Sequence, residues 1–390
     1  MIQIPRSHWI ALTCLAAPLG LIAAAACAGE RGSEGPQLWN GNPPYSRHIE
    51  AEAWDTVWAI GGGAEDTTLL RPRLVTPHDA GVYLYDDGRE QLVSLDSKGN
   101  RRWGVGGVGG GPTEFRMVRD LKVDGQGRAV ILDPGNQRIA VVDSAGRFVR
   151  RVPITAVGWA EQVLPLGGSR YVLATTDSMR PFAVLDTAGN VVERFGVPWE
   201  AFASLDPLAR QGTIVQAGGD RWIYGFVMGD GWFVFDATKP QDRPGRYVEH
   251  TAFPRVVQTR TGNSVTTRME TFVPCSGCSL SGGDSVLYVH FGGYTPEQKR
   301  LVDRYDIADR RYLGSYRLLP APRRGKRRGD VRRPRLCPAE RYHDAVTRPH
   351  AADNRPDRPA LNTWGRPGRR SSPYETEPRR ILLLRGSVFP

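Results

Sequence analysis

Cys275 and Cys278 stand in a C-x-x-C. Thiols at that spacing can close a local disulfide, ligate a metal or cycle electrons. A closed zinc site needs four ligands, and the sequence has no second pair of this kind. Covalent haem attachment needs His next, where Ser279 stands, and a thioredoxin-type centre needs a β-α-β setting that the flanking text lacks. In an exported chain the expectation is a Cys275–Cys278 disulfide that pins the loop ahead of the apolar segment 285–293.

Other chemistry is thinner. The body histidines His48, His78, His250 and His290 form no H-x-H or H-E-x-x-H pair, and no G-x-S-x-G nucleophile elbow occurs. Gly104-Val105-Gly106-Gly107-Val108-Gly109 satisfies G-x-G-x-x-G, the pattern of a pyrophosphate-cradling loop. That loop must open a helix inside a β-α-β unit, with an acidic residue about 20 positions on. Pro112 follows at once, Asp124 comes 15 residues after Gly109, and the next text, DLKVDGQGRAVILD, reads as two strands around a turn. The glycines are therefore a crossing between sheets, and no cofactor is expected. Arg255, Arg260, Arg268 and Glu270 lie with the C-x-x-C in a long insertion, about 241–283, which predicts a binding loop. The alternative for this segment is a sheet with long hairpins.

The elements that would carry these residues repeat. LVSLDSKGN (92–100), IAVVDSAGR (139–147), FAVLDTAGN (182–190), WFVFDATKP (232–240) and VDRYDIADR (302–310) each lead apolar residues to an Asp. The aspartates Asp96, Asp143, Asp186, Asp236 and Asp306 are spaced 47, 43, 50 and 70 apart. In the first three, D-x-x-G is turn chemistry between two strands. A further apolar strand precedes each unit, and nothing between them keeps a 3.6-residue period. Several short strands recurring every 40–50 residues predict an all-β fold of the β-propeller type.

Gly104 to Arg151 resembles an NHL-type repeat. The matching residues are Gly111-Pro112-Thr113-Glu114-Phe115, Val123-Asp124-Gly125-Gln126-Gly127 and Asp133-Pro134-Gly135-Asn136-Gln137-Arg138-Ile139. The family pattern has Gly where Thr113 stands. Gly111, Pro112, Glu114, Phe115, Asp133, Asn136 and Arg138 are read as structural: Asn136 tightens a hairpin, and Arg138 buries its stem and bonds turn carbonyls or Asp133. The resemblance implies a six-bladed propeller over 49–320, of which five blade signatures are readable. AWDTVWAIGGG (53–63) is then a lone strand that needs partners from beyond residue 320.

The termini differ from this body. Arg6, an apolar run from Trp9 to Ala26 and small residues follow the order of a secretory signal. Ala24-Ala25-Ala26-Cys27 resembles a bacterial lipobox, although the family prefers Leu at the position of Ala24. The resemblance implies a signal over 1–27, lipidation at Cys27 and a tether over 28–48; simple cleavage at an A-x-A site is the alternative. The net charge is +11, but residues 321–390 carry 18 Lys and Arg against 7 Asp and Glu, so the rest is balanced. That tail also holds 10 of the 30 prolines and predicts an irregular or disordered segment. Its abrupt onset where a sixth blade is due suggests an out-of-frame translation of a GC-rich gene. A charge-balanced body argues against a nucleic-acid partner.

These readings converge on an exported, lipid-anchored propeller, monomeric, that touches the membrane through its anchor only and binds a protein, peptide or glycan. The competing class is a metal-dependent hydrolase or lyase with its site in the central channel.

Overall fold

The computed structural model describes residues 9–12, 38, 46–50, 54–60, 68–241, 243–261, 264–270, 276–277, 279–283, 285–318 and 381–386. Cys27, Cys275, Cys278 and the Arg/Pro-rich segment 321–380 lie outside them.

Strands account for nearly all regular structure. Two lie near the N-terminus, β1 (Trp9–Leu12) and β2 (Trp54–Ile60). Five four-stranded meanders follow. The first is β3 (Pro72–His78), β4 (Gly81–Asp86), β5 (Gln91–Asp96) and β6 (Arg101–Gly106). The second is β7 (Asp120–Val123), β8 (Ala129–Asp133), β9 (Arg138–Val142) and β10 (Phe148–Pro153). The third is β11 (Ala160–Leu166), β12 (Arg170–Thr175), β13 (Phe182–Leu185) and β14 (Val191–Phe195). The fourth is β15 (Gly212–Gln216), β16 (Arg221–Phe226), β17 (Trp232–Asp236) and β18 (Lys239–Pro240). A hairpin of β19 (Val256–Thr261) and β20 (Ser264–Met269) interrupts the series. The fifth meander is β21 (Ser279–Gly282), β22 (Val286–His290), β23 (Leu301–Asp306) and β24 (Tyr312–Arg317). Strand β25 (Ile381–Gly386) lies between β1 and β2 in a three-stranded sheet, so β2 pairs with a strand from beyond residue 320.

Each meander is a propeller blade. Its first strand contacts the first strand of the next, from β3 to β7, β11, β15 and β21, as strands around a central axis do. Side chains tie these inner strands together. Asp120 on β7 accepts the Val163 N–H of β11 at 3.0 Å, and Gln162 on β11 accepts the Ile214 N–H of β15 at 2.9 Å. At the next junction Gly282 lies so close to β15 that a Cβ would stand 1.9 Å from the Gln216 carbonyl oxygen.

Period-2 alternation sorts side chains to the two faces of each blade, and both faces are buried. On β8, Val130 and Leu132 pack with the third blade while Ala129 and Ile131 pack with the first. On β16, Trp222, Tyr224 and Phe226 pack with the third blade, and Ile223 with the fifth. The junction of the third and fourth blades is aromatic: Trp222 stacks on Phe235 at 4.2 Å, and Phe182 meets both edge-on. The remaining face of the first blade, Leu69, Val82, Leu84, Val93 and Leu95, packs against Ile60.

The five repeat aspartates occupy one place, the end of the third strand of each blade. Asp96, Asp143 and Asp186 each accept the N–H groups two and four residues on, at 2.8–2.9 Å. The side chains of Asn100 and Asn190, donating to Asp96 and Asp186, and the Arg147 N–H at Asp143 contribute most to holding the three carboxyls below the ordinary range, with the other turn N–H groups adding to them.

The segment before β2 straps the fifth blade. Ile49 bridges Ser315 of β24 in the parallel sense, with Glu50 N–H donating to Ser315 O and Ser315 N–H donating to His48 O, both at 2.9 Å. Arg47 grips the buried Asp303 bidentately, Nε to Oδ1 at 3.1 Å and Nη2 to Oδ2 at 2.7 Å, and lies over the Phe291 ring. Burial pulls the guanidinium down, but the Asp303 carboxylate outweighs it and holds Arg47 above its ordinary value.

Candidate binding face

In a meander, the connections between second and third strands share one end of the propeller with the crossings from blade to blade. The other end holds the remaining turns. The two ends differ. The second end is built of short turns, among them the Asp-closed turns at Asp96, Asp124, Asp143 and Asp186. The first end carries the long crossings and the insertion. Leu70, Val108, Met117, Trp159, Met179 and Tyr294 are all exposed there, whereas among the described residues none of the exposed large apolar side chains lies in a turn of the second end.

Buried carboxylates rigidify the first end. Asp86, at the end of β4, accepts the Leu70 and Arg71 N–H groups at 3.0 and 2.7 Å. Asp133, at the same place on β8, accepts the Met117 N–H at 3.1 Å and the Asn136 side chain at 2.6 Å, and lies 3.5 Å from Arg138. Both are fully buried. Each clamps the incoming crossing to its own blade, so the exposed side chains beside the clamps stand on a fixed backbone.

The NHL-like residues meet at this clamp. Arg138 is buried and donates to the Glu114 carbonyl, and burial lowers its pKa. Asn136 donates to the Gly109 carbonyl at 2.9 Å. Glu114 Oε2 accepts the Gly111 N–H at 2.8 Å, and Phe115 is fully buried edge-on to Tyr85. Pro112 lies in the same crossing. The glycine run ends β6 and turns into this crossing, where Phe115 N–H donates to Gly107 O and Gly109 N–H to Phe115 O. Those groups serve the loop itself. Gly106 and Gly107 take φ of 135° and 149°, which a side chain would strain.

The insertion contributes a cleft of about 270 Å³ at the base of the β19–β20 hairpin, lined by Ser204, Leu205, Asp206, Phe253, Pro254, Arg255, Val256 and Glu270. Phe253 and Leu205 belong to the aromatic core and form an apolar floor; Arg255, Asp206 and Glu270 set both charges on the rim. Of the four insertion residues singled out from sequence, the fold therefore brings Arg255 and Glu270 together, joined by a 2.9 Å bond from Glu270 N–H to Arg255 O. Arg260 and Arg268 are exposed further along the hairpin; the register places them on opposite faces. Ser276 and Gly277, between the two cysteines, are buried and donate their N–H groups to the Val227 carbonyl at 2.8 and 3.3 Å.

One cluster escaped the sequence reading. Asp230, in the β16–β17 connection, is buried and accepts from Arg246 Nε at 3.1 Å and the Tyr247 N–H at 3.2 Å; His250 Nδ1 lies 3.0 Å from its Oδ2. Burial raises the Asp230 pKa, with His250 and Arg246 opposing. The cluster fastens the start of the insertion to the fourth blade. Its sequence signal is a lone Asp in Gly229-Asp230-Gly231, far from its partners. Among the described residues, no group of three or more His, Cys, Asp or Glu is placed to hold a metal ion.

The chain matches no known family profile and no curated protein. Among solved structures it is similar to a candidate exported protein of Bacteroides fragilis, at 12% identity and a TM-score of 0.45 over 70% of this chain and 79% of that one. It is also similar to the Pan2 WD40 domain of Neurospora crassa, at 10% identity and a TM-score of 0.41 over 70% and 74%. A third is virginiamycin B lyase of Staphylococcus aureus, at 9% identity and a TM-score of 0.40 over 69% and 75%. The blade arrangement read from the strands makes the chain a β-propeller.

Proposed function

We propose that this chain is an exported binding module that engages a protein, peptide or glycan on the end of the propeller built from blade crossings and the insertion. The observation that carries this reading is the asymmetry of the two ends. Six large apolar side chains stand exposed at one end, Leu70 and Met117 of them on backbone held by Asp86 and Asp133, and the insertion adds a cleft lined by apolar and charged residues at the same end. Exposed apolar groups gathered on one face favour an interaction surface over a solvated one. Aromatic and methionine side chains are the types that supply contact area at such surfaces.

The finer reading is a six-bladed, NHL-like lipoprotein anchored through Cys27. The sheet of β2 and β25 supports the sixth blade, since it continues the series beyond β3. Cleavage before Cys27 would remove β1 from that sheet and leave β2 with β25. Cys27→Ser should abolish incorporation of labelled fatty acid and release the chain from the membrane fraction; unchanged labelling would refute the anchor.

An array of envelope peptides and glycans tests the binding face. Trp159→Ser with Met179→Ser and Tyr294→Ser should remove the hits of the parent chain. Lys98→Glu with Ala145→Glu and Ala188→Glu, on turns of the opposite end, should leave them. Hits indifferent to the first set, or lost with the second, would overturn the assignment.

A further inference from the structure

Three side chains at the first end form a set in which each touches the other two. Arg119 and Trp159 are the residues that lead into β7 and β11, the first strands of the second and third blades, and those strands pack against each other. Both residues therefore stand close to the propeller axis. Gly158, at φ 72°, turns the chain into β11 just ahead of the tryptophan. Glu161 follows at a β-bulge: Ala160 pairs with Thr175 and Gln162 with Ala174, so Glu161 is the extra residue. A bulge of this kind re-aims a side chain, and here the carboxylate reaches back to the indole. Arg119 Cζ lies 5.2 Å from the centre of the Trp159 ring, the indole N–H donates to Glu161 Oε1, and Arg119 Nε lies 3.8 Å from Glu161 Oε2.

The indole is thus fixed by two polar neighbours, yet it stays 36% exposed, where tryptophan is ordinarily well buried. An aromatic surface already held in place needs little further ordering when a ligand arrives. Its neighbours keep capacity in reserve. At 3.8 Å Arg119 and Glu161 form an ion pair too long for a hydrogen bond, and their side chains are 42% and 46% exposed. The set therefore presents an apolar plate with donors on one flank and an acceptor on another. Its two charges cancel. An anion gains from Arg119 what it loses at Glu161, and a cation meets the reverse. A proline or aliphatic side chain of a peptide covers the ring but leaves both charged groups unmet. A neutral sugar ring uses all three, with C–H groups on its face and hydroxyls around its edge that both donate and accept.

We propose that Trp159, Arg119 and Glu161 form a subsite for a neutral pyranose of a glycan. The indole takes the C–H face of the sugar, Glu161 accepts from one hydroxyl and Arg119 donates to its neighbour. The proposal rests on the binding-face reading and names the ligand class.

An array of neutral oligosaccharides, with their uronic-acid and amino-sugar counterparts, probes the full chain, and calorimetry with tryptophan fluorescence measures the hits. A neutral oligosaccharide should bind and shift the indole emission. Trp159→Ala should weaken that binding at least tenfold and remove the shift. Trp159→Phe keeps a ring and should restore part of the affinity without the shift. The three side chains are exposed, so the circular dichroism spectrum and Tm of each variant should match the parent. Charge gives a readout that a merely structural role would not move. Glu161→Gln leaves Arg119 unopposed and should turn the preference toward uronic acids; Arg119→Gln should turn it toward amino sugars. No neutral hit, hits indifferent to Trp159→Ala, or a charge preference that neither variant moves overturns the proposal. Envelope peptides that bind and are lost with the Trp159, Met179 and Tyr294 substitutions, while every sugar fails, keep the binding face and sink the subsite; failure of peptides and sugars alike sinks both.

Discussion

Arg47→Ala should destabilise the propeller far more than an N-terminal residue outside the blades would suggest. Asp303 is 2% exposed and accepts two charge-assisted hydrogen bonds from Arg47. Its other donor is the Ser315 hydroxyl, at 2.5 Å. Removing one partner of a buried pair strands the other charge, at about 3–5 kcal/mol. The second pair of Arg47, with Glu249, involves a carboxylate whose side chain is 40% exposed, so solvent screens it to under about 1 kcal/mol. The contact with Phe291, at 4.6 Å, adds about 0.5–1 kcal/mol. Because Ser315 still serves Asp303, the lower end applies, about 3 kcal/mol. For a domain of about 270 residues, with an unfolding entropy of about 2.1 cal/mol/K per residue, that corresponds to a fall in Tm of about 5 °C. Scanning calorimetry with urea titration reads both quantities. Arg47→Met combined with Asp303→Leu removes both charges and should recover at least half of the loss, since the Tyr312 and Ser315 hydroxyls still pair with each other at 2.7 Å. An Arg47→Ala protein within 2 °C of the parent, or a double variant as unstable as the sum of the singles, would refute the reasoning.

Three further outcomes are expected. Asp133→Ala leaves the buried Arg138 uncompensated and frees the Met117 N–H, so the urea midpoint should drop by an amount equivalent to about 3 kcal/mol. Burial lowers the pKa of both His78 and His290, so the unfolded chain takes up these protons first. Their contribution to stability is then full above about pH 6.5 and declines as pH falls through and below that value; Tm at pH 5.0 should lie below that at pH 7.5, and His290→Gln, which still donates to the Lys299 carbonyl, should shrink the gap. Gly282→Ala drives a methyl into the Gln216 carbonyl and should separate β15 from β21, read as loss of cooperative unfolding, while Gly125→Ala, with nothing within 4 Å of its added carbon, should be neutral.

The blade register was legible because it is local. Asp96, Asp143 and Asp186 are closed by residues two and four positions on, so the D-x-x-G text records the whole device. The 70-residue spacing from Asp236 to Asp306 recorded the insertion for the same reason. Apolar runs such as AVILD marked strands buried on both faces, though only packing reveals which neighbour each side chain meets. Long-range devices left no such trace. Arg47 and Asp303 lie 256 positions apart, and Asp206 meets the hairpin it ties down 50 positions later. In the sequence each is one more charged residue. The candidate site was half legible: residue type and the long insertion pointed to Arg255 and Glu270, but the apolar floor under them is built from Leu205 and Phe253, residues that read as ordinary core.

The strap on the fifth blade also has a mechanical side. His48, Ile49 and Glu50 run alongside β24 in the same direction as that strand. Were the propeller tethered through Cys27 as proposed, a tug on the tether would meet Leu38, packed on the core of the third and fourth blades, and then Arg47. Tension arriving there acts along the strand, so the two backbone bonds to Ser315 and the grip on Asp303 resist together in shear, instead of peeling apart one after another. The rim of the fifth blade would then serve as strain relief for the load that passes Leu38.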